Sequence, residues 1–92
     1  MTYALLYQPE VAACDLPPLP RDARERIRRA IEYRLALEPA RFGKPLRHSL
    51  KALWRLRVGD YRVIYHIRAQ EVVIVKIGHR RDVYELLGPR LR

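Results

Sequence analysis

The sequence predicts an α+β fold: an antiparallel-rich four-stranded sheet, two N-terminal helices packed on one of its faces, and a short C-terminal helix. Three observations predict it. Two alternating runs, 53–58 and 61–67, meet at Gly59-Asp60. A nearly continuous β-branched run follows at 72–77. Ahead of both, apolar residues recur at helical spacing between 20 and 37.

The elements follow in order. Residues 2–8 alternate well enough for a strand, with Tyr3, Leu5 and Tyr7 on one side. Pro9 suits the first turn of a short helix reaching about Asp15, in which Cys14 is expected to be a small packed side chain. Leu16-Pro17-Pro18-Leu19-Pro20 reads as a rigid connector. The next helix places Ala23, Ile27, Ala30, Ile31 and Leu35 on one apolar stripe, with Asp22 and Glu25 near its positive end. Arg24, Arg28, Arg29 and Arg34 lie off that stripe, as a solvated face or a contact with phosphates or acids. Pro39 is expected to stop it, and residues 38–47 to form a loop whose Phe42 and Leu46 turn back into the core.

The hairpin is the most informative stretch. Two connecting residues with Gly first suit a type II′ turn, which fixes the register. Val58 then pairs with Tyr61, Arg57 with Arg62, Leu56 with Val63, Arg55 with Ile64 and Trp54 with Tyr65. Alternation gathers Trp54, Leu56, Val58, Tyr61, Val63, Tyr65 and Ile67 on one face, a core face. The other carries Lys51, Arg55, Arg57, Arg62, His66 and Arg68, with Leu53 and Ile64 among them. Arg57 and Arg62 stand directly opposite, where like charges destabilise a sheet. Long arginines on a basic chain can splay into solvent; the functional reading is that these forks converge on a polyanion. The run 72–77 reads as a central strand covered on both faces, broken by Gly78. Residues 79–84 then lead to a terminal helix ending near Gly88-Pro89.

Composition narrows the function. The 92 residues suit one domain spanning 1–92, with one modest core. A formal charge of +9 and a pI near 10.4 favour nucleic acid, ribosomes or an acidic protein as partner. One cysteine excludes an internal disulfide, and three scattered histidines make no zinc cluster, so no metal or other cofactor is expected. No apolar run approaches a membrane span and no basic-then-apolar leader opens the chain, so the expected compartment is the cytoplasm.

Residues 44–84 combine Lys44-Pro45-Leu46, LWRLRVGDYRVIYHI and VVIVKIGHRRDVY. This pattern resembles the RelE/ParE toxin superfamily of type II toxin–antitoxin modules, and with length, charge and element order the likeness spans nearly the whole chain. The GHRRDVY ending resembles the RelE branch, which cuts mRNA in the ribosomal A site, more than the gyrase-inhibiting ParE branch. The resemblance implies a RelE-like fold and a metal-independent endoribonuclease. A ribose 2′-hydroxyl attacks the adjacent phosphate and leaves a 2′,3′-cyclic phosphate. Arg55, Arg57, Arg62 and Arg80 match the family's site positions, and Tyr84 matches the tyrosine of its final helix; guanidiniums at such positions would stabilise a phosphorane.

Some relatives have lysine at the positions of Arg55 and Arg57. Arginine does not give up its proton, so the general base falls to His79 first and Tyr84 second. Lys51, His66, Arg68 and Arg81 are the expected contacts to RNA or ribosome. The implied partners are an acidic antitoxin, the ribosome with A-site mRNA, and operator DNA only through the antitoxin complex. A ParE-like inhibitor of DNA gyrase is the alternative, and a basic nucleic-acid-binding module without toxicity a third reading.

Overall fold

The hairpin forms in the predicted register. In the computed structural model, which describes residues 2–46, 52–85 and 87–90, strand β3 (Leu53–Val58) pairs with β4 (Tyr61–Arg68) through Trp54↔Tyr65, Arg55↔Ile64, Leu56↔Val63, Arg57↔Arg62 and Val58↔Tyr61. Gly59 has φ +59°, and Asp60 is not among the positive-φ residues, as a II′ turn requires. A second tight turn puts Ala69 at φ +53° and returns the chain into β5 (Glu71–His79).

The sheet has five strands rather than the four expected, in the order β1-β5-β4-β3-β2. β1 (Ala4–Tyr7) runs parallel to β5, and every other pair is antiparallel. The added strand, β2 (Lys44–Pro45), lies where a loop was expected; two residues are too short for a period-2 signal, and β3 supplies their pairing. Gly78 does not break β5, which continues to His79.

Helix α1 (Arg21–Ala30) begins after Pro20 and continues in a wider turn, Ile31–Leu35, where the Ala36 amide donates to the Ile31 carbonyl at 3.2 Å. The predicted stripe of Ala23, Ile27, Ala30, Ile31 and Leu35 is buried along this whole length. Ile27, Ala30, Ile31 and Leu35 of this stripe pack with Val11, Leu56, Val58, Val63, Tyr65, Val72, Ile74 and Ile77 into the main core.

Three expectations fail locally. Val11–Asp15 is a single wide turn that buries Val11 and Asp15, so Cys14 faces outward and is exposed rather than packed. Phe42 ends the short helix α2 (Pro39–Phe42) 44% exposed, under the Arg41 guanidinium at 5.6 Å. The core position beneath α2 belongs to Tyr65, whose hydroxyl donates to the Pro39 carbonyl at 2.6 Å. Burial pushes this phenol far above its ordinary pKa. A Cβ on Gly43 would run into that hydroxyl, so glycine is required there. Third, Tyr84 does not lie in the final helix: α3 is Leu87–Arg90, and residues 80–85 are turns.

The face opposite the helices is not uniformly basic. Leu53, Ile64, Val75 and Val83 bury one another there, with Leu46 and Leu87 packed against them. A bulge in β5 near Ile64/Tyr65 turns Val75 into this cluster.

Candidate functional site

Three arginines project from the β3–β4 end of that face. Arg55 and Arg57 alternate with buried Leu56 and are exposed, while Arg62, opposite Arg57, is half-buried. Residues two apart on a strand lie about 7 Å apart on one face. Among the described residues none of the three has a carboxylate within ion-pair distance. Arg62 is positioned instead by its own turn: its Nη1 donates to the Gly59 carbonyl at 3.1 Å and the Tyr61 carbonyl at 3.0 Å. Because guanidinium bonds to neutral carbonyls leave the charge uncompensated, the group remains a ready anion site.

Arg80 reaches the same end of the hairpin. Its amide donates to the Asp60 carbonyl at 2.8 Å, and its Nε lies 3.9 Å from the Asp60 carboxylate. Both side chains are more than half exposed, so this contact is weak and exchangeable. Tyr84 is 40% exposed and follows Val83, whose burial against Leu53 and Ile64 tethers it on the arginine-bearing side.

His79 is placed differently. Its register partner is Tyr61, which belongs to the helix-covered face, whereas the neighbouring pair Arg62↔Gly78 faces the other way. The imidazole meets the Tyr61 ring edge-on at 5.9 Å, and its Nδ1 accepts the Arg81 amide at 3.2 Å. An imidazole accepting at Nδ1 carries its neutral-state proton on Nε2, and so presents a donor rather than a free lone pair. The structure therefore brings Arg55, Arg57, Arg62, Arg80 and the Tyr84 segment to one end of the sheet and leaves His79 at its margin.

The expected RNA contacts are scattered. His66 lies opposite Leu53 at the far end of the face, with a buried Nδ1 that has no partner among the described residues. Arg68 is paired with Glu71 at 3.0 Å, Arg81 is exposed in the turn after β5, and Lys51 lies outside the described residues, as does His48.

Sequence reasoning missed two features. Lys44 on β2 pairs in register with Arg55 and so extends the basic row outward. The other is a charged cluster at the opposite sheet edge. β1 ends at Tyr7, leaving β5 beyond Ile74 without a strand on that side among the described residues. There the Asp15 carboxylate accepts the Ile77 amide at 2.9 Å and both Nη atoms of Arg90, at 2.7 and 2.9 Å. Arg90 also donates to the Val75 carbonyl at 3.2 Å, and Lys76 Nζ lies 3.8 Å from Asp15. The acid spacing carried no local signal, since Asp15 and Arg90 are 75 residues apart.

Comparison with known proteins supplies an independent line. The family described as the ParE toxin of the type II toxin–antitoxin system parDE matches residues 13–84. Toxin RelE of Mycobacterium tuberculosis is 38% identical over 77 residues, covering 82% of this chain and 79% of the relative. Toxin RelG of the same organism is 44% identical over 52 residues, which are 54% of this chain and 60% of RelG. In structure, the toxin–antitoxin complex RelBE2 of M. tuberculosis contains a chain that superposes with a TM-score of 0.79 at 32% identity. That match covers 87% of this chain and all of the other.

Proposed function

We propose, from the premise that the chain belongs to the ParE toxin family of type II toxin–antitoxin systems, that this toxin cleaves mRNA in the ribosomal A site. The observation that carries the reading is the placement of Arg55, Arg57 and Arg62 on one exposed sheet end, with no carboxylate in ion-pair distance among the described residues. Attack of a 2′-hydroxyl on the adjacent phosphate concentrates negative charge on the phosphoryl oxygens. Guanidiniums fixed beside that phosphate stabilise the phosphorane more than the ground state. Arg62, held by the turn carbonyls, is already oriented, and Arg80 joins once Asp60 releases it. The leaving 5′-oxygen departs to give a 2′,3′-cyclic phosphate.

Tyr84 stacks on the splayed base or orients the attacking hydroxyl; an aromatic stack contributes about 1–3 kcal/mol. With the His79 lone pair spent on the Arg81 amide, the rate rests chiefly on electrostatic stabilisation and on positioning by the ribosome. The uncompensated arginine face also accounts for an acidic antitoxin as cognate partner, in keeping with the complex in which the structural relative was solved.

Primer extension on programmed ribosomes tests the reading. Discrete cuts within the A-site codon, ending in a cyclic phosphate, are expected from the parent. Intact mRNA together with blocked supercoiling by DNA gyrase would replace this reading with the gyrase-directed one.

A further inference from the structure

Two kinds of arginine stand along residues 21–35. Arg28 is fully paired, donating to Glu25 at 2.7 Å and to Glu32 at 3.0 Å, and Glu25 is held below its usual carboxylate range by it. Arg26, Arg29 and Arg34 have no hydrogen bond or ion pair among the described residues. They recur at helical spacing with Ala30 and Tyr33, and line a groove of about 370 Å³ closed on its other side by Arg57, Val58 and Gly59. The Arg26 guanidinium lies over Gly59 at the hairpin turn. Tyr33 stands 71% exposed in the same lining, the most exposed of the large apolar side chains described.

The groove's position links it to the candidate site. β2 pairs with β3 at Trp54 and Arg55, and among the described residues no strand pairs with the outer side of 56–58. Arg57 contributes to both the arginine face and the groove. The unpaired cations therefore pass without interruption from the site, around this edge, to the outer face of α1.

We propose that this groove is a second RNA-binding site, taking the sugar–phosphate backbone of a single strand that continues from the cleavage position, with Tyr33 stacking on one unpaired base. The proposal rests on the ribonuclease reading for the strand's origin, but the groove's chemistry is independent of catalysis. Four guanidiniums flanking one exposed aromatic ring match a phosphate track with a stacking platform. An acidic protein would use the cations and leave the ring without a specific role.

The test uses the full chain and a fluorescently labelled single-stranded RNA of about 12 nucleotides, the size range of one such track. The RNA is 2′-deoxy at alternate positions to slow cleavage, and anisotropy is read across a salt series. Thermal melts confirm that each variant is folded. The double variant Arg29→Ala/Arg34→Ala should lower the slope of log affinity against log salt by about 1.4, at about 0.7 for each phosphate no longer neutralised. Tyr33→Ala should weaken binding roughly 5- to 150-fold, and Tyr33→Phe should restore it.

Binding by both variants with the parent's affinity and slope overturns the proposal, as does absence of RNA binding by the parent. Equal losses toward poly-L-glutamate, with Tyr33→Ala silent, would assign the groove to an acidic protein and overturn it too. The two readings separate cleanly. Loss of binding in the variants with no cleavage by the parent on programmed ribosomes keeps the groove and removes the nuclease. Cleavage by the parent with unaltered variants does the reverse.

Discussion

Two cationic clusters sit on opposite sides of the same sheet and are treated in opposite ways. At the β5 edge, Lys76 and Arg90 are largely buried and share the Asp15 carboxylate. At the β3–β4 end, Arg55, Arg57 and Arg62 share one face, and among the described residues none has a carboxylate within ion-pair distance. A buried charge must be paired because the interior cannot solvate it. An exposed charge beside like charges has no such necessity, because water solvates it, and under the proposed function an anionic ligand would offset the repulsion. The first cluster is a contact within the fold; under the proposed function the second is an anion site.

Removing the shared acid should have the largest effect. Asp15→Ala strands two buried cations and leaves the Ile77 amide without its acceptor. Breaking a buried pair this way costs about 3–5 kcal/mol, a large part of a small domain's stability. Urea unfolding measures it. A loss below about 1 kcal/mol would show that α3 relaxes and rehydrates the cations, and the contrast between the clusters would weaken.

At the other cluster the same kind of deletion should spare the fold and strike the chemistry. Arg55→Ala removes an exposed guanidinium with no acidic partner among the described residues. Single-turnover cleavage on programmed ribosomes should slow about 10²–10³-fold, the usual loss for one preorganised stabiliser. Arg55→Lys should recover only part, since a point charge lacks the two-pronged fork. Parent-like rates for Arg55→Ala would mean that the arginine face is a solvated surface.

How these clusters were readable from sequence differs for a physical reason. The arginine face follows from alternation through one turn: Gly59-Asp60 fixes the register, and each side chain's face is then determined locally. The apolar stripe of α1 was legible for the same reason. Asp15–Arg90 was not, because the two residues meet only after β1 stops short and exposes the β5 edge. Nor was the cluster of Leu53, Ile64, Val75 and Val83, which needs the bulge and the fold-back of residues 80–85. Cys14 and Phe42 were misplaced because a wide turn and the deep insertion of Tyr65 decide them, and neither has a short-range pattern.

His79 marks the boundary of the open cluster. Its imidazole rests on Tyr61 and accepts the Arg81 amide, so it should contribute mainly by packing. His79→Ala should stay within about tenfold of the parent's cleavage rate and keep the lower limb of the pH–rate profile. A drop of roughly 10²–10⁴-fold with that limb abolished would establish the imidazole as the base. The Arg81 amide would then have to be released during turnover.

The smallest effect tests the repulsion itself. Arg57 and Arg62 are directly opposed, and like pairs on a sheet cost a fraction of a kcal/mol to about 1 kcal/mol. Arg57→Ala relieves that cost but introduces a weaker strand former, so the two contributions nearly cancel in the total. Salt separates them. Repulsion between exposed charges is screened as the Debye length falls to about 3 Å near 1 M, whereas strand propensity is not electrostatic. The variant should therefore be more stable relative to the parent in dilute buffer than in high salt, by a few tenths of a kcal/mol in paired urea titrations. A stability difference that is flat with salt would mean that the Arg62 contacts to the Gly59 and Tyr61 carbonyls already hold the two guanidiniums apart. The open cluster would then be at rest without its anion, and its lack of an acid would no longer record a cost borne for binding.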